Sequence, residues 1–199
     1  MKNIIINTKN IIINNISKSF GSKIVLSGFS DVIPPRGTTV IMGESGCGKT
    51  TLINIILGLE KADNGEISGL PEHISAVFQD DLLFEDFSAI SNVKSVCPKL
   101  PKSKIADTLL SLGLTKKDVN CPARDLSGGM KRRVAIARAI LADGELIIMD
   151  EPFKGLDCDT RRTVIDFVLQ KTQGKALIVI SHSPEEAELL NAGKIIQMK

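Results

Sequence analysis

The sequence has no tryptophan and no tyrosine, and seven phenylalanines make up its entire 4% aromatic content. Proteins that hold single-stranded nucleic acid by stacking bases on aromatic rings need more than this. A basic excess is missing too, since 25 Lys and Arg face 23 Asp and Glu for a formal net charge of +2. The densest basic run, Lys131-Arg132-Arg133, is short and falls in a helix-forming stretch. Nucleic acid is therefore not the expected partner. The four cysteines, Cys47, Cys97, Cys121 and Cys158, form no C-x-x-C pair and have no histidine at ligand spacing. That pattern argues against zinc and fits free thiols in a reducing compartment. No apolar run approaches the ~20 residues of a membrane span, and the N-terminus lacks a secretory leader's pattern.

What is present is the composition of a globular protein. Hydrophobic residues reach 43% and charged residues 24% of 199, enough for one domain with a real core. Ile4, Ile5, Ile6, Ile11, Ile12, Ile13 and Ile16 predict strand at the start, and 23–26 with 29–33 extend it to the turn Pro34-Pro35-Arg36-Gly37. A short strand at 38–42 precedes a helix at 49–59, a turn at Asp63-Asn64-Gly65 and a strand at 74–78. The pattern is helical from 88 to about 114, interrupted at Pro98 and Pro101, and again at 128–141. Strands at 145–149, 176–180 and 194–198 then alternate with helices at 160–171 and 184–190. Such alternation predicts a mainly parallel sheet covered on both faces.

Gly43-Glu44-Ser45-Gly46-Cys47-Gly48-Lys49-Thr50 fits the phosphate-loop pattern G-x-x-x-x-G-K-[ST], between a predicted strand and a predicted helix. Glycines let successive N–H groups face phosphate oxygens, and the helix N-terminus adds partial positive charge. Lys49 then serves the β- and γ-phosphates, and the Thr50 hydroxyl serves Mg2+. The apolar strand ending in Asp150-Glu151 places one carboxylate for the metal and one to polarise an attacking water. Leu126-Ser127-Gly128-Gly129-Met130 opens a helix. From the residues alone it is either a second anion site or a plain helix cap.

With these motifs in this order, the chain resembles the ABC ATPase family, whose signature Leu-Ser-Gly-Gly-Gln precedes the second acidic strand. The resemblance implies an α/β fold: a P-loop NTPase with a mainly parallel core sheet, an N-terminal antiparallel β part and an inserted helical subdomain. One domain over 1–199 is implied, with about 1–84 and 141–199 as nucleotide-binding core and about 85–140 as the helical subdomain. ATP and Mg2+ are the implied cofactors. Gln79 and His182 are implied to sense the γ-phosphate beside the catalytic Glu151, Gln79 also lying near the metal with Thr50 and Asp150. Phe20 is implied to stack on adenine, and Thr51 to extend the loop's grip on nucleotide. Gly155-Leu156-Asp157 resembles the loop that crosses to a partner. Ser127, Gly128 and Gly129 are implied to close the nucleotide of a second copy, giving an ATP-sandwich dimer.

The resemblance extends to a motor subunit on the inner face of the cell membrane, bound to membrane-spanning permease subunits and working with a solute-binding protein. Within the family the motifs are most similar to nitrate, sulfonate and taurine importers. Met130 stands where the signature has Gln, and Phe20 where Tyr is commoner. No regulatory domain is expected after Lys199. The alternative is a soluble ABC-type ATPase without a membrane partner, though the chain is too short for two such domains and shows no sustained heptads. A small-molecule phosphotransferase would not need 126–130. Between Gln79 and the next helix, Asp80-Asp81-Leu82-Leu83-Phe84-Glu85-Asp86-Phe87 mixes acids with large apolar residues where a loop is normally polar. Leu83, Phe84 and Phe87 either form local core of the helical lobe, or some of them line a groove for a short helix of the membrane subunit.

Overall fold

The computed structural model describes residues 9–199; the strand predicted at 4–6 lies outside them. Strand β1 (Ile11–Phe20) buries alternate isoleucines, pairs antiparallel with β2 (Lys23–Ile33) on one side and with β4 (Asn64–Ser68) on the other, and so forms a three-stranded sheet. The two segments expected at 23–26 and 29–33 are one strand bulged at Gly28, φ 64°, where the register against β1 shifts and pairing resumes on either side. The turn expected at Asp63-Asn64-Gly65 is instead the entry to β4, a mostly exposed strand whose polar composition hides it.

The second sheet is wholly parallel, in the order β5 (Ile74–Val77), β6 (Leu146–Asp150), β7 (Ala176–Ile180), β3 (Gly37–Gly43) and β8 (Lys194–Met198). Period-two alternation sorts its side chains between two cores. Ile147, Met149, Leu177 and Val179 face α4 (Gly128–Leu141) and α5 (Cys158–Lys171), while Leu146, Ile148, Ile178 and Ile180 face α1 (Lys49–Ile56) and the antiparallel sheet. Near-continuous apolar strands are what a sheet covered on both faces requires. Lys194 ties the sheets together, donating to Val32 O at 2.5 Å and pairing with Asp31.

The helical stretch predicted at 88–114 is two helices, α2 (Ala89–Val96) and α3 (Lys102–Ser111), separated at Pro98 and Pro101. Their buried Val93, Ile105 and Leu109 belong to the same core as α4 and the sheet, so these helices pack onto the rest through α4. The short α6 (Pro184–Leu189) leads into β8. No helix among the described residues is long and apolar enough to cross a membrane.

Candidate functional site

Four connections leave the parallel sheet at the C-terminal ends of β3, β5, β6 and β7, the edge where open parallel sheets take their ligands. The loop after β3 turns sharply into α1. At Gly43 a Cβ would meet Met198 O at 2.4 Å; at Gly48, φ 97°, it would meet Leu26 Cδ2 at 2.8 Å. Neither position admits a side chain. No side chain caps α1, which leaves its leading N–H groups and partial positive charge facing outward. Lys49 is buried, and its ammonium donates to Gly43 O at 2.9 Å and Glu44 O at 2.7 Å, with Cys47 Sγ at 3.8 Å.

Across from this loop, Thr50 Oγ1 donates to Asp150 Oδ2 at 2.8 Å. Asp150 is buried at the end of β6, and that burial pushes its carboxyl above the ordinary range despite the Thr50 hydrogen bond. Glu151 follows in a left-handed turn with φ 46°, uncommon for any residue but glycine. Its amide donates to Ile180 O at 3.1 Å. His182 Nε2 lies 2.7 Å from Glu151 Oε1, and Lys154 Nζ lies 2.9 Å from Oε2. Burial pushes this carboxyl up, but the Lys154 and His182 contacts outweigh it and leave it below the ordinary carboxylate value.

One cleft of about 330 Å3 collects most of the residues expected at the site. Ser45, Gly46, Gly48, Lys49, Thr50 and Thr51 line it from the loop and α1; Phe20, Gln79, Asp150, Glu151 and His182 line it from four other segments. Gly43 and Glu44 do not line the cleft and reach it only through their carbonyls on Lys49. Cys47 is likewise set back. Phe20 is half exposed, not packed in the core, and Lys18 Nζ sits 5.1 Å from its ring centroid while pairing with Glu60.

Ser127, Gly128 and Gly129 stand apart from this cleft. Ser127 caps α4, its Oγ accepting from Met130 N at 3.3 Å, and both Ser127 and Gly128 are exposed. The cap reading of the signature is thus realised, with Gly128 presented to the outside and Gly129 half-buried beside Leu156. Asp157 caps α5 in the same way through Thr160 N at 2.9 Å.

Sequence reasoning missed Lys23, Val25 and Ile180, which also line the cleft, and Lys154 beside Glu151. Lys23 pairs with Phe20 across the Gly21 hairpin, so a firm prediction of that hairpin would have found it. The Lys154 contact spans three residues of a turn, which helical or strand periodicity does not register.

A family model described as ABC transporter matches residues 26–154. The chain is 34% identical over 211 residues to an Fe(3+) ions import ATP-binding protein of Rhodococcus jostii, covering 94% of this chain and 61% of that one. It is 41% identical over 165 residues to the taurine import ATP-binding protein of Pelagibacter ubique, covering 75% and 62%. The chain therefore spans about three fifths of the length of these curated relatives. Among solved structures, the ATP-binding cassette MJ0796, dimeric in a post-hydrolysis state bound to ADP and Pi, superposes with a TM-score of 0.83 at 28% identity, covering 95% of this chain and 94% of that one.

Proposed function

The chain belongs to the ABC transporter family, and from that premise we infer that it binds and hydrolyses ATP as the motor of a solute importer. The observation that carries the reading is the convergence of Lys49, Thr50, Gln79, Asp150, Glu151 and His182 on one cleft at the sheet's C-terminal edge. Phe20 at its rim offers a ring to adenine, and the loop amides with Lys49 take the phosphates. The hard oxygen donors Thr50 Oγ1, the Asp150 carboxylate and the Gln79 amide fit Mg2+, which usually takes one or two carboxylates plus substrate phosphates. When bound there, Mg2+ supplies charge neutralisation at the transferring phosphoryl group.

Glu151 takes the role of base. Its lowered pKa keeps it ionised at neutral pH, ready to orient a water toward the γ-phosphate. His182, hydrogen-bonded to that carboxylate, holds it in place and faces the same phosphate. Phosphoryl transfer asks mainly for positioning and charge stabilisation, and this cleft provides only one side of both. Exposed Ser127 and Gly128 fit the other side of a second copy's nucleotide, giving a dimer that closes over two ATP. Residues 85–140 then act as a lobe carrying that face.

Three further features support a membrane partner. Leu82, Phe84 and Phe87 are all more than 45% exposed, with the two rings 5.2 Å apart, while Leu83 alone turns toward the core. Acidic Asp80, Glu85 and Asp86 rim this apolar face. The relatives' names carry import of iron and taurine. On this reading the chain sits on the cytoplasmic side of a membrane against permease subunits, in an assembly that includes a solute-binding protein.

Glu151→Gln tests the catalytic reading. The variant should bind ATP with unchanged affinity, lose hydrolysis about 100-fold or more, and accumulate as an ATP-bound dimer on size-exclusion chromatography. Unchanged turnover removes Glu151 from the base role.

A further inference from the structure

The backbone leaving β5 is bound along its length to α4, the helix that begins at Ser127. The Arg132 guanidinium donates to Phe78 O at 2.8 Å and to Gln79 O, and its Nε lies 3.1 Å from Asp81 Oδ1. Arg138, further along the helix, donates to Leu82 O at 2.7 Å and to Asp81 O at 2.9 Å. Two planar forks thus hold four of the five carbonyls from 78 to 82. Leu82 itself has φ 46°, a conformation that persists only where surrounding bonds fix it.

Burying a guanidinium is a poor source of stability, since apolar residues of similar size do as well or better. It is a good source of fixed geometry, because five donors in a rigid plane accept few arrangements of acceptors. Arg132 is 8% exposed and spends two of its donors on backbone. An arginine serving only to fill space would not be aimed at consecutive carbonyls flanking a cleft residue. Ser127 lies five residues before Arg132, roughly 8 Å along the helix axis. Gln79 in the cleft and Ser127 on the outer face are therefore two ends of one hydrogen-bonded body.

We propose that Arg132 and Arg138 are positioning residues that lock the Gln79 loop to the signature helix, so that engagement of Gln79 and presentation of Ser127 occur together. The inference rests on the ATPase reading above. An arginine that acts in this way sets the fraction of molecules with Gln79 in place; nucleotide affinity, set by the loop and Lys49, is a separate quantity.

The test uses the full chain and compares wild type, Gln79→Ala, Arg138→Ala, Arg138→Lys and the Gln79→Ala/Arg138→Ala double variant. Arg138→Ala should lower kcat about tenfold, leave ATP Kd within about twofold, and raise the Mg2+ concentration for half-maximal turnover, as Gln79→Ala does. Arg138→Lys should recover part of the loss. The double variant should be no slower than Gln79→Ala alone, the non-additivity expected when one residue acts through another. Multiplied losses in the double variant, or full kcat in Arg138→Ala, overturn the proposal. If Arg138→Ala does not fold, Arg132→Lys, which keeps the charge and loses the fork, is read on the same quantities. A wild type that hydrolyses no ATP overturns the ATPase reading itself; an active wild type with additive variants overturns the arginine coupling alone.

Discussion

Glu151 is held from two sides, by Lys154 at 2.9 Å and His182 at 2.7 Å. The net lowering of its pKa depends on those contacts, because burial works in the opposite direction. Lys154→Ala should let burial prevail and raise the carboxyl's pKa. If Glu151 is the base proposed above, it is then protonated at higher pH, so the acid limb of the kcat profile moves upward. On the acid limb itself, turnover relative to that at pH 8 should fall by at most about threefold, a modest change because the Lys154 side chain is largely exposed and screened. An unmoved acid limb would show that Lys154 does not tune this group. Lys49, Thr50, Asp150 and Glu151 were all legible as candidates because their chemistry needs them at fixed offsets from a strand end. Lys154 was not, since its reach depends on a turn whose left-handed first residue leaves no sequence mark.

Among the elements, α2 holds a polar hub. Asn92 is fully buried there; its Oδ1 accepts from Phe84 N at 2.8 Å, and its Nδ2 donates to Phe84 O and Phe87 O at 3.1 Å and to Ser88 O at 3.2 Å. This hub explains why Phe84 and Phe87 face outward: their backbone is bonded inward, leaving the rings to solvent. Asn92→Ala should cost about 1–3 kcal/mol, read as a lowered urea midpoint, because the part-buried Phe84 N loses its partner and the Phe84, Phe87 and Ser88 carbonyls each lose one of two donors. Hydrogen exchange at Phe84 N should accelerate more than at the β6 amides; equal change at both would mean global loosening. Helix α4 and strands β7 and β8 were predicted with the bounds they have, each having a clean period and a capping or turn residue at its ends. Strand β4 escaped because most of its residues are exposed and polar, so its existence rests on pairing with β1, 50 residues away, and not on its own pattern.

At the scale of the molecule, the exposed face of Leu82, Phe84 and Phe87 and the cleft lie at opposite ends of the segment that starts at Gln79. If the proposed permease docks on this face, Phe84→Ala and Phe87→Ala should fold and keep basal ATPase, yet weaken assembly with it by about 2 kcal/mol each and uncouple transport in the reconstituted complex. Loss of folding in both would return these rings to the core; full transport in both would exclude the face as the docking site. The order of strands carries a different consequence, in time. Strand β3, which leads into the phosphate loop, pairs among the described residues with β7 and β8 and with no strand made near it. On the ribosome it waits for its first neighbour while roughly 130 residues are added, about 7–25 s at usual elongation rates. Until then Gly43 to Thr50 has no sheet to stand on, and the nucleotide offers it no protection. ATP can act as a folding ligand only after β7 has been made, so the newborn β3, apolar and still unpaired, is a stretch that chaperones must guard while those residues are added.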